Sequence, residues 1–379
     1  MAHYDKNQPF YASLKEKKGL TKPGSEKQTL HLALCLKNSG IKYRVGDSVA
    51  VFPQNDPEVV KNTLNALNAD ASTIVNYKRT GQAYPLDQFL SRIVNICKIG
   101  KPLFTAVLNS YHNDQVKEQL QLLLNQPDQL AHYLAQHELW DFLSAHPDYD
   151  LTLEEICNLL PPLLPRFYSI ASSQEHVDDE IHLTVGMVEY ETNGKKRFGV
   201  ASQFLGCNVP LNEAVIPLYI QPTAHFTIPD DHTKPIIMIG PGTGIAPFRG
   251  FMQERLKKGA SGKHWLFFGE RNRATDFLYE EYWNELMDLG HLKVSAAFSR
   301  DQSHKIYVQH LMHQEGAEFW NWLQEGAYLY VCGDAHRMAK DVETTLLQIA
   351  MEHGSMAEDG ARAFIKKLRQ DKRYLRDVY

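Results

Sequence analysis

Cysteine is scarce in this chain: five among 379 residues (Cys35, Cys97, Cys157, Cys207 and Cys332), widely spaced and with no C-x-x-C pair. A disulfide framework or a metal centre is therefore not expected, and the usage fits a reducing compartment. No apolar run approaches the ~18 residues of a membrane span, and the opening stretch MAHYDKNQPFYASLKEKK lacks the apolar centre of a signal peptide. The expected location is the cytoplasm, without membrane contact. A net charge of −5, with basic runs no longer than pairs such as Lys257-Lys258, argues against nucleic-acid binding. Internal repeats and low-complexity tracts are missing too. What is present is 43% hydrophobic and 22% charged residues, enough to bury the cores of two or three domains.

The rhythm of apolar residues changes three times. Residues 10–56 read as short strands: TLHLALCL (29–36) alternates, and VGDSVAVFP (45–53) sets a Gly-Asp turn before a strand that stops at proline. From Asp56 to about Leu160 the period becomes helical, as in the stripe Val59, Val60, Leu64 and Leu67. Strands return with RFYSIAS (166–172) and EIHLTVGMVEY (180–190), a strand with Leu183, Val185 and Met187 on one face. A barrel or sandwich interrupted by a helical insert accounts for this order. IPDDHTKP (228–235) reads as a linker. Four buried strand patterns follow, PIIMIG, KHWLFFGE, LKVSAAFSR and AYLYVCGD, each trailed by a helical pattern such as Val342, Leu346 and Ile349. That alternation predicts a parallel sheet covered on both faces, with ligands at the carboxyl ends of its strands.

Four motifs carry chemistry. In IGPGTGIAPFRGF, Gly240, Gly242, Thr243 and Gly244 close a strand ahead of a helix opened by Pro247. This is either a cradle for a pyrophosphate or a structural tight turn, since Ile245 stands where the dinucleotide fingerprint has its third glycine. In FSRDQSHKIYVQ, Ser299, Arg300 and Lys305 offer a hydroxyl and two cations, with Tyr307 beside them. A dianionic phosphate asks for that set; the alternative is a solvated charged loop. An NAD-type site would instead show a carboxylate for the ribose, and Glu270, adjoined by Arg271, is the one candidate. PRFYSIAS places Tyr168 and Ser169 on opposite strand faces behind Arg166, a mixture a flavin needs, and GVAS (199–202) adds a glycine turn and a hydroxyl; an ordinary strand and turn is the other reading. In YVCGDAHRMAKDVE, Cys332 ends a strand and Asp334 is expected to cap the next helix. There Cys332 is either a small core hydrophobe or a soft donor facing the cofactor crevice.

In this order, these stretches resemble the ferredoxin–NADP reductase superfamily. Within it they are similar to the diflavin reductases, which include the flavoproteins of NADPH–sulfite reductase and the NADPH–cytochrome reductases. The resemblance implies an antiparallel FAD-binding β-barrel (1–56 and 161–228), a helical connecting insert (57–160) and a parallel-sheet α/β NADP-binding domain (229–379). It implies FAD contacts at Arg166, Tyr168, Ser169, Thr184, Val185, Gly186, Tyr190, Gly199, Val200, Ala201, Ser202 and Tyr379. For NADPH it implies Ser299, Arg300, Lys305, Ile306, Tyr307, Val308, Gln309 and Asp341, joined by the turn Gly242, Thr243 and Gly244. Ser169, Cys332 and Asp377 match the polar group around the hydride path, and Tyr379 matches an aromatic that covers the flavin face. The implied activity is hydride transfer from NADPH to FAD. Electrons would pass to an FMN-binding domain or flavodoxin-like protein, and on to a sulfite reductase haemoprotein; a stand-alone ferredoxin- or flavodoxin-NADP reductase and a non-catalytic interaction module are the alternatives. Because the chain starts almost at the barrel, FMN is not expected on it.

Overall fold

The computed structural model describes residues 4–379, and the chain divides into two compact units. The first takes the chain up to Ala50, then Phe167–Gly186 and Pro210–Tyr379; the second takes Val51–Arg166 and Met187–Val209.

In chain order the strands are β1 (Phe10–Gly19), β2 (Thr29–Cys35), β3 (Ser48–Val51), β4 (Ile74–Tyr77), β5 (Gln82–Pro85), β6 (Arg166–Ser169) and β7 (Glu180–Gly186). There follow β8 (Glu189–Thr192), β9 (Lys195–Phe198), β10 (Ala214–Gln221), β11 (Ile236–Ile239), β12 (His264–Glu270), β13 (Lys293–Phe298), β14 (Tyr328–Gly333) and β15 (Tyr374–Val378). A six-stranded sheet runs β6-β3-β10-β1-β2-β7, with β1 antiparallel to both β10 and β2 and β2 antiparallel to β7. Just past β6, Ile170 bridges Leu183 on β7 and the Ala171 amide donates to the His182 carbonyl, which joins the two ends of the sheet into a barrel.

Both faces of β2 are buried, although its sequence alternates: Leu30, Leu32 and Leu34 point one way, Thr29, His31 and Ala33 the other. His31 is turned toward His182 and bonds Tyr279 Oη at 3.1 Å. The stretch 180–190 is not one strand. It breaks after Gly186, because the Val188 amide leaves the ladder to donate to Ser202 Oγ at 3.1 Å.

The second sheet is parallel, in the order β13-β12-β11-β14-β15. Its strands send alternate residues to two cores. Ile237, Ile239, Trp265, Phe267 and Val331 pack with Val342, Leu346 and Ile349. Ile236, Met238, Leu266, Phe268, Tyr330 and Cys332 pack with Phe248 and Phe251. Helix α1 (Ala246–Lys257) carries Pro in its first turn and, in its last turn, Arg255, which is fully buried. The Arg255 guanidinium donates to His264 Nε2 at 2.7 Å and to the carbonyls of His232 and Lys234, so the expected linker 228–235 is packed against the sheet domain. On the barrel side, Gly250 presses on the Ser172 backbone and Ser173 bonds Gln253 and Glu254, all from α1.

In the second unit, helices surround a core of Phe89, Phe104, Phe142 and Leu139. This block also contains the β4–β5 hairpin, which the helical reading of 57–160 missed: only four residues, Ile74–Tyr77, alternate there. Arg197 on β9 is buried in ion pairs with Glu138 and Asp141. No helix among the described residues is long and apolar enough to cross a membrane.

Two buried histidines make the first unit acid-sensitive. Burial, with His182 and Arg249 alongside, pulls His31 down to a pKa of about 3. Burial beside Arg255 pulls His264 down to about 4. Both lie below the 6.5 of free imidazole, so at lower pH the unfolded chain takes up protons that the folded chain refuses. Their contribution is complete above pH 6.5 and is lost as pH falls toward the folded values, at up to about 1.4 kcal/mol per pH unit for each histidine. Urea midpoints should fall steadily from about pH 7 to about pH 4, and His31→Asn should flatten that slope; a midpoint constant over this range would exclude the assignment.

Candidate active site

The last strand decides the geometry. β15 pairs with β14 in parallel, in a register that sets Cys332 opposite Asp377 and Gly333 opposite Val378. Ser169, at the end of β6, reaches the same place from the barrel, and its hydroxyl donates to Asp377 Oδ2 at 2.8 Å. Cys332 Sγ lies 4.0 Å from the same oxygen. Three of the four expected catalytic residues, drawn from distant parts of the chain, therefore share one carboxylate. Burial pushes the Cys332 thiol well above its ordinary value, the Asp377 charge adds to the rise, and the Ser169 hydroxyl offsets part of it. The thiol is accordingly a neutral, protonated group at physiological pH.

Tyr379 is the fourth. Its backbone is held twice, amide to the Gly333 carbonyl and carbonyl to the Ala335 amide, both at 3.1 Å. The residue is 62% exposed, and its hydroxyl lies 3.2 Å from Thr243 Oγ1. Thr243 belongs to the glycine turn, a short 3-10 segment (Gly242–Ile245) leading into α1. Gly242 has φ +59°, and a Cβ on Gly244 would sit 2.2 Å from the Cys332 carbonyl. Gly244 thus serves the close packing of the turn onto β14, and Gly242 its left-handed backbone.

The expected phosphate residues also lie in the first unit. The amides of Ser299 and Arg300 extend the β12–β13 ladder, donating to the carbonyls of Glu270 and Arg271. Arg300 is exposed, and its Nη1 lies 2.6 Å from Glu26 Oε2. Lys305 is exposed, and Tyr307 caps helix α2 (Val308–Gln314), its amide donating to His310. Gln309 Nε2 donates to Asp341 Oδ2 at 3.2 Å, so those two expected residues meet. Val308 is a core residue packed over Gly269, and Ile306 is half-buried.

On the barrel, Tyr168 is half-buried and Phe167 beside it is 54% exposed. The Thr184 hydroxyl bonds Tyr279 Oη at 2.7 Å, and Thr184 and Val185 are both buried. Gly186 follows, against the Thr243 methyl. In the second unit Arg166 and Tyr190 are exposed. Gly199 begins a short helix (Val200–Gln203) whose first amides lack intrahelical partners by geometry. Ala201 is buried, and the Ser202 hydroxyl is spent on Val188 and Gly199 and not presented outward. Asp334 does not stand at the N-cap either. The helix α3 (Met338–His353) starts four residues later, and Asp334 Oδ1 accepts from the amides of Arg337 and Met338, closing the loop before it.

Compared with known proteins, residues 2–204 match the FAD binding domain family. The chain belongs to that family. Residues 238–344 match the oxidoreductase NAD-binding domain, so a flavin-binding and a nicotinamide-binding part follow one another, in a ferredoxin–NADP reductase-like fold. The curated sulfite reductase (NADPH) flavoprotein alpha-component of Bacillus subtilis (strain 168) is 40% identical over 99% of this chain. Those of Serratia proteamaculans (strain 568) and Vibrio vulnificus (strain CMCP6) are each 42% identical, over 99% and 100% of it. The chain spans 60–62% of the length of these relatives.

Sequence reasoning missed two residues that contact expected site residues: Tyr279, which bonds Thr184, and Glu26, which pairs with Arg300. Tyr279 gave one signal, since it stands just before a helix, where it adopts φ +58°. The buried, neutral Cys332 yields a direct test. In the native protein Cys332 should resist iodoacetamide at mildly alkaline pH while exposed Cys207 reacts, read by peptide mass spectrometry. Equal labelling of the two would refute the protonated-thiol assignment.

Proposed function

We propose that this chain is the electron-input module of a flavoprotein reductase: it binds FAD and NADPH, passes hydride from the nicotinamide to the flavin, and works in the cytoplasm. The observation that carries the reading is the convergence of Ser169 and Cys332 on Asp377, beside the exposed residue Tyr379. The domains would be the barrel (1–56 with 161–228), the insert (57–160) and the NADP domain (229–379).

The residues fit the two groups. In the first unit Tyr168, Ser169, Gly186 and Tyr379 offer rings, a hydroxyl and a close backbone approach for the flavin ring system, with Thr184 and Val185 contributing through their main chain. In the second unit Arg166 supplies a cation, Tyr190 an exposed ring, and Gly199 to Ser202 a turn with helix-start amides suited to a pyrophosphate. For NADPH, Ser299, Arg300 and Lys305 would grip the extra phosphate and Tyr307 the adenine, with Gln309 and Asp341 behind them. Gly242, Thr243 and Gly244 would meet the pyrophosphate. Ile306 and Val308 shape this site without polar contact.

Bound FAD and NADPH supply the redox chemistry, hydride leaving the nicotinamide for the flavin. The protein supplies alignment and charge. Asp377 holds the Ser169 proton, which fixes the hydroxyl and leaves its lone pairs as acceptors toward the ligand side. The Asp377 carboxylate also favours positive charge developing next to it. Cys332 stays protonated, so it adds a polarizable contact without a second negative charge. Tyr379 shields the site until it is displaced.

The electrons would go to an FMN-binding domain or flavodoxin-like protein, and from there to a sulfite reductase haemoprotein, a reading supported by the family resemblance and by relatives named as sulfite reductase (NADPH) flavoproteins; ferredoxin or flavodoxin is the acceptor in the stand-alone alternative. NADPH oxidation assayed with ferricyanide, and then with each carrier supplied separately, distinguishes these. Failure with every acceptor would defeat the enzyme reading. Ser169→Ala should slow flavin reduction by roughly ten- to a hundredfold in rapid mixing, with NADPH affinity little changed, since it removes an aligning contact. An unaltered reduction rate would remove Ser169 from the mechanism. Tyr379→Ala should lower the NADPH-to-NADH preference, because a stacked ring that competes with nicotinamide is removed at a cost of only ~0.5–1.5 kcal/mol. An unchanged ratio of kcat/KM values would exclude the covering role.

A further inference from the structure

The loop between β1 and β2 carries two adjacent opposite charges, Glu26 and Lys27, and each meets its complement at the carboxyl ends of β12 and β13. Lys27 Nζ donates to both oxygens of Glu270, at 2.8 and 3.1 Å. The Glu270 side chain is only 6% exposed, and its Oε1 lies 3.4 Å from the Cβ position of Gly242, so this contact is anchored in the site. Glu26 is different. One oxygen, Oε2, accepts from Arg271 Nη1 at 2.7 Å and from Arg300 Nη1 at 2.6 Å, while the side chain is 62% exposed. The loop does not need this contact to stay in place. The Lys22 amide donates to the Thr275 carbonyl, Ser25 bonds Asp276, and Lys22 pairs with Glu280.

Two guanidinium groups converging on one exposed oxyanion is what a phosphate would ask of this site. We propose that Glu26 is an internal competitor for the 2′-phosphate of the dinucleotide, holding Arg271 and Arg300 until the phosphate displaces it. The proposal rests on the reading of Arg300 as a phosphate-binding residue. A phosphate monoester carries between one and two negative charges at neutral pH and three acceptor oxygens, against one charge on the carboxylate, so the exchange runs toward phosphate. The 2′-hydroxyl of an unphosphorylated dinucleotide carries no charge and leaves Glu26 in place. Specificity thus comes with a tax on affinity. The tax is modest, because exposed ion pairs are weak and screened by salt.

The test compares the FAD-loaded wild-type protein with Glu26→Gln by calorimetric titration, using 2′,5′-ADP and ADP as probes at low and high ionic strength. Glu26→Gln should lower the Kd for 2′,5′-ADP by roughly two- to tenfold at low salt, with the gain shrinking at high salt. The Kd for ADP should not change. Weaker 2′,5′-ADP binding would mean that Glu26 positions the arginines, and unchanged binding that it is idle; either overturns the proposal. Arg300→Ala separates the two levels. If it leaves 2′,5′-ADP and ADP binding alike unaffected, the phosphate reading itself falls. If it weakens 2′,5′-ADP alone while Glu26→Gln has no effect, only the competitor falls.

Discussion

The parallel register between β14 and β15 is the constraint on which the site depends. Side chains alternate across a strand, so a slip of one residue would turn Asp377 to the opposite face of the sheet. Ser169 would lose its acceptor, the Cys332 thiol its neighbouring charge, and Tyr379 both backbone clamps. The register is held by packing and hydrogen bonds earlier in the strand: Tyr374 buried in one core, Leu375 in the other, and Arg373 donating to the carbonyls of Leu323 and Ala327. The geometry of the candidate site is therefore a by-product of how the edge strand packs.

Charge is used in two distinct ways. Arg197 and Arg255 are buried with fixed partners, and removing a partner from such a group leaves a desolvated charge that nothing repays. Arg271 and Arg300 are partly exposed, with a partner that solvent can reach. The first kind shapes the fold; the second can be exchanged. The distinction tracks burial, not residue type.

Much of this was legible in the sequence where the information is local. The four parallel strands announced themselves as short apolar runs between helical stripes, and the glycine turn, the Ser299–Lys305 cations and the position of Cys332 at a strand end were visible in contiguous letters. What escaped depended on partners far along the chain. Glu26 and Arg300 are 274 residues apart and no periodicity connects them; Ser169 and Asp377, 208 apart, were brought together only by the family resemblance. The hydroxyls of Thr184 and Ser202, expected at the flavin, each have a partner inside the protein, as buried hydroxyls require, and those partners too lie outside any local motif. The β4–β5 hairpin was hidden for a different reason, since four alternating residues are too few to stand out among helices.

The segment 228–235 has the composition of a flexible joint, with two prolines and two adjacent aspartates. It is instead riveted: Arg255 grips the carbonyls of His232 and Lys234, Gly262 donates to His232, and a side chain at Gly262 would collide with Lys234. A protease needs several residues of extended, pliable backbone, and this stretch cannot lend them without uprooting a buried arginine. The place where the two cofactor-binding parts meet in sequence is thus a poor site for cutting them apart, and a fragment begun just after it would leave Arg255 without the carbonyls it was folded around.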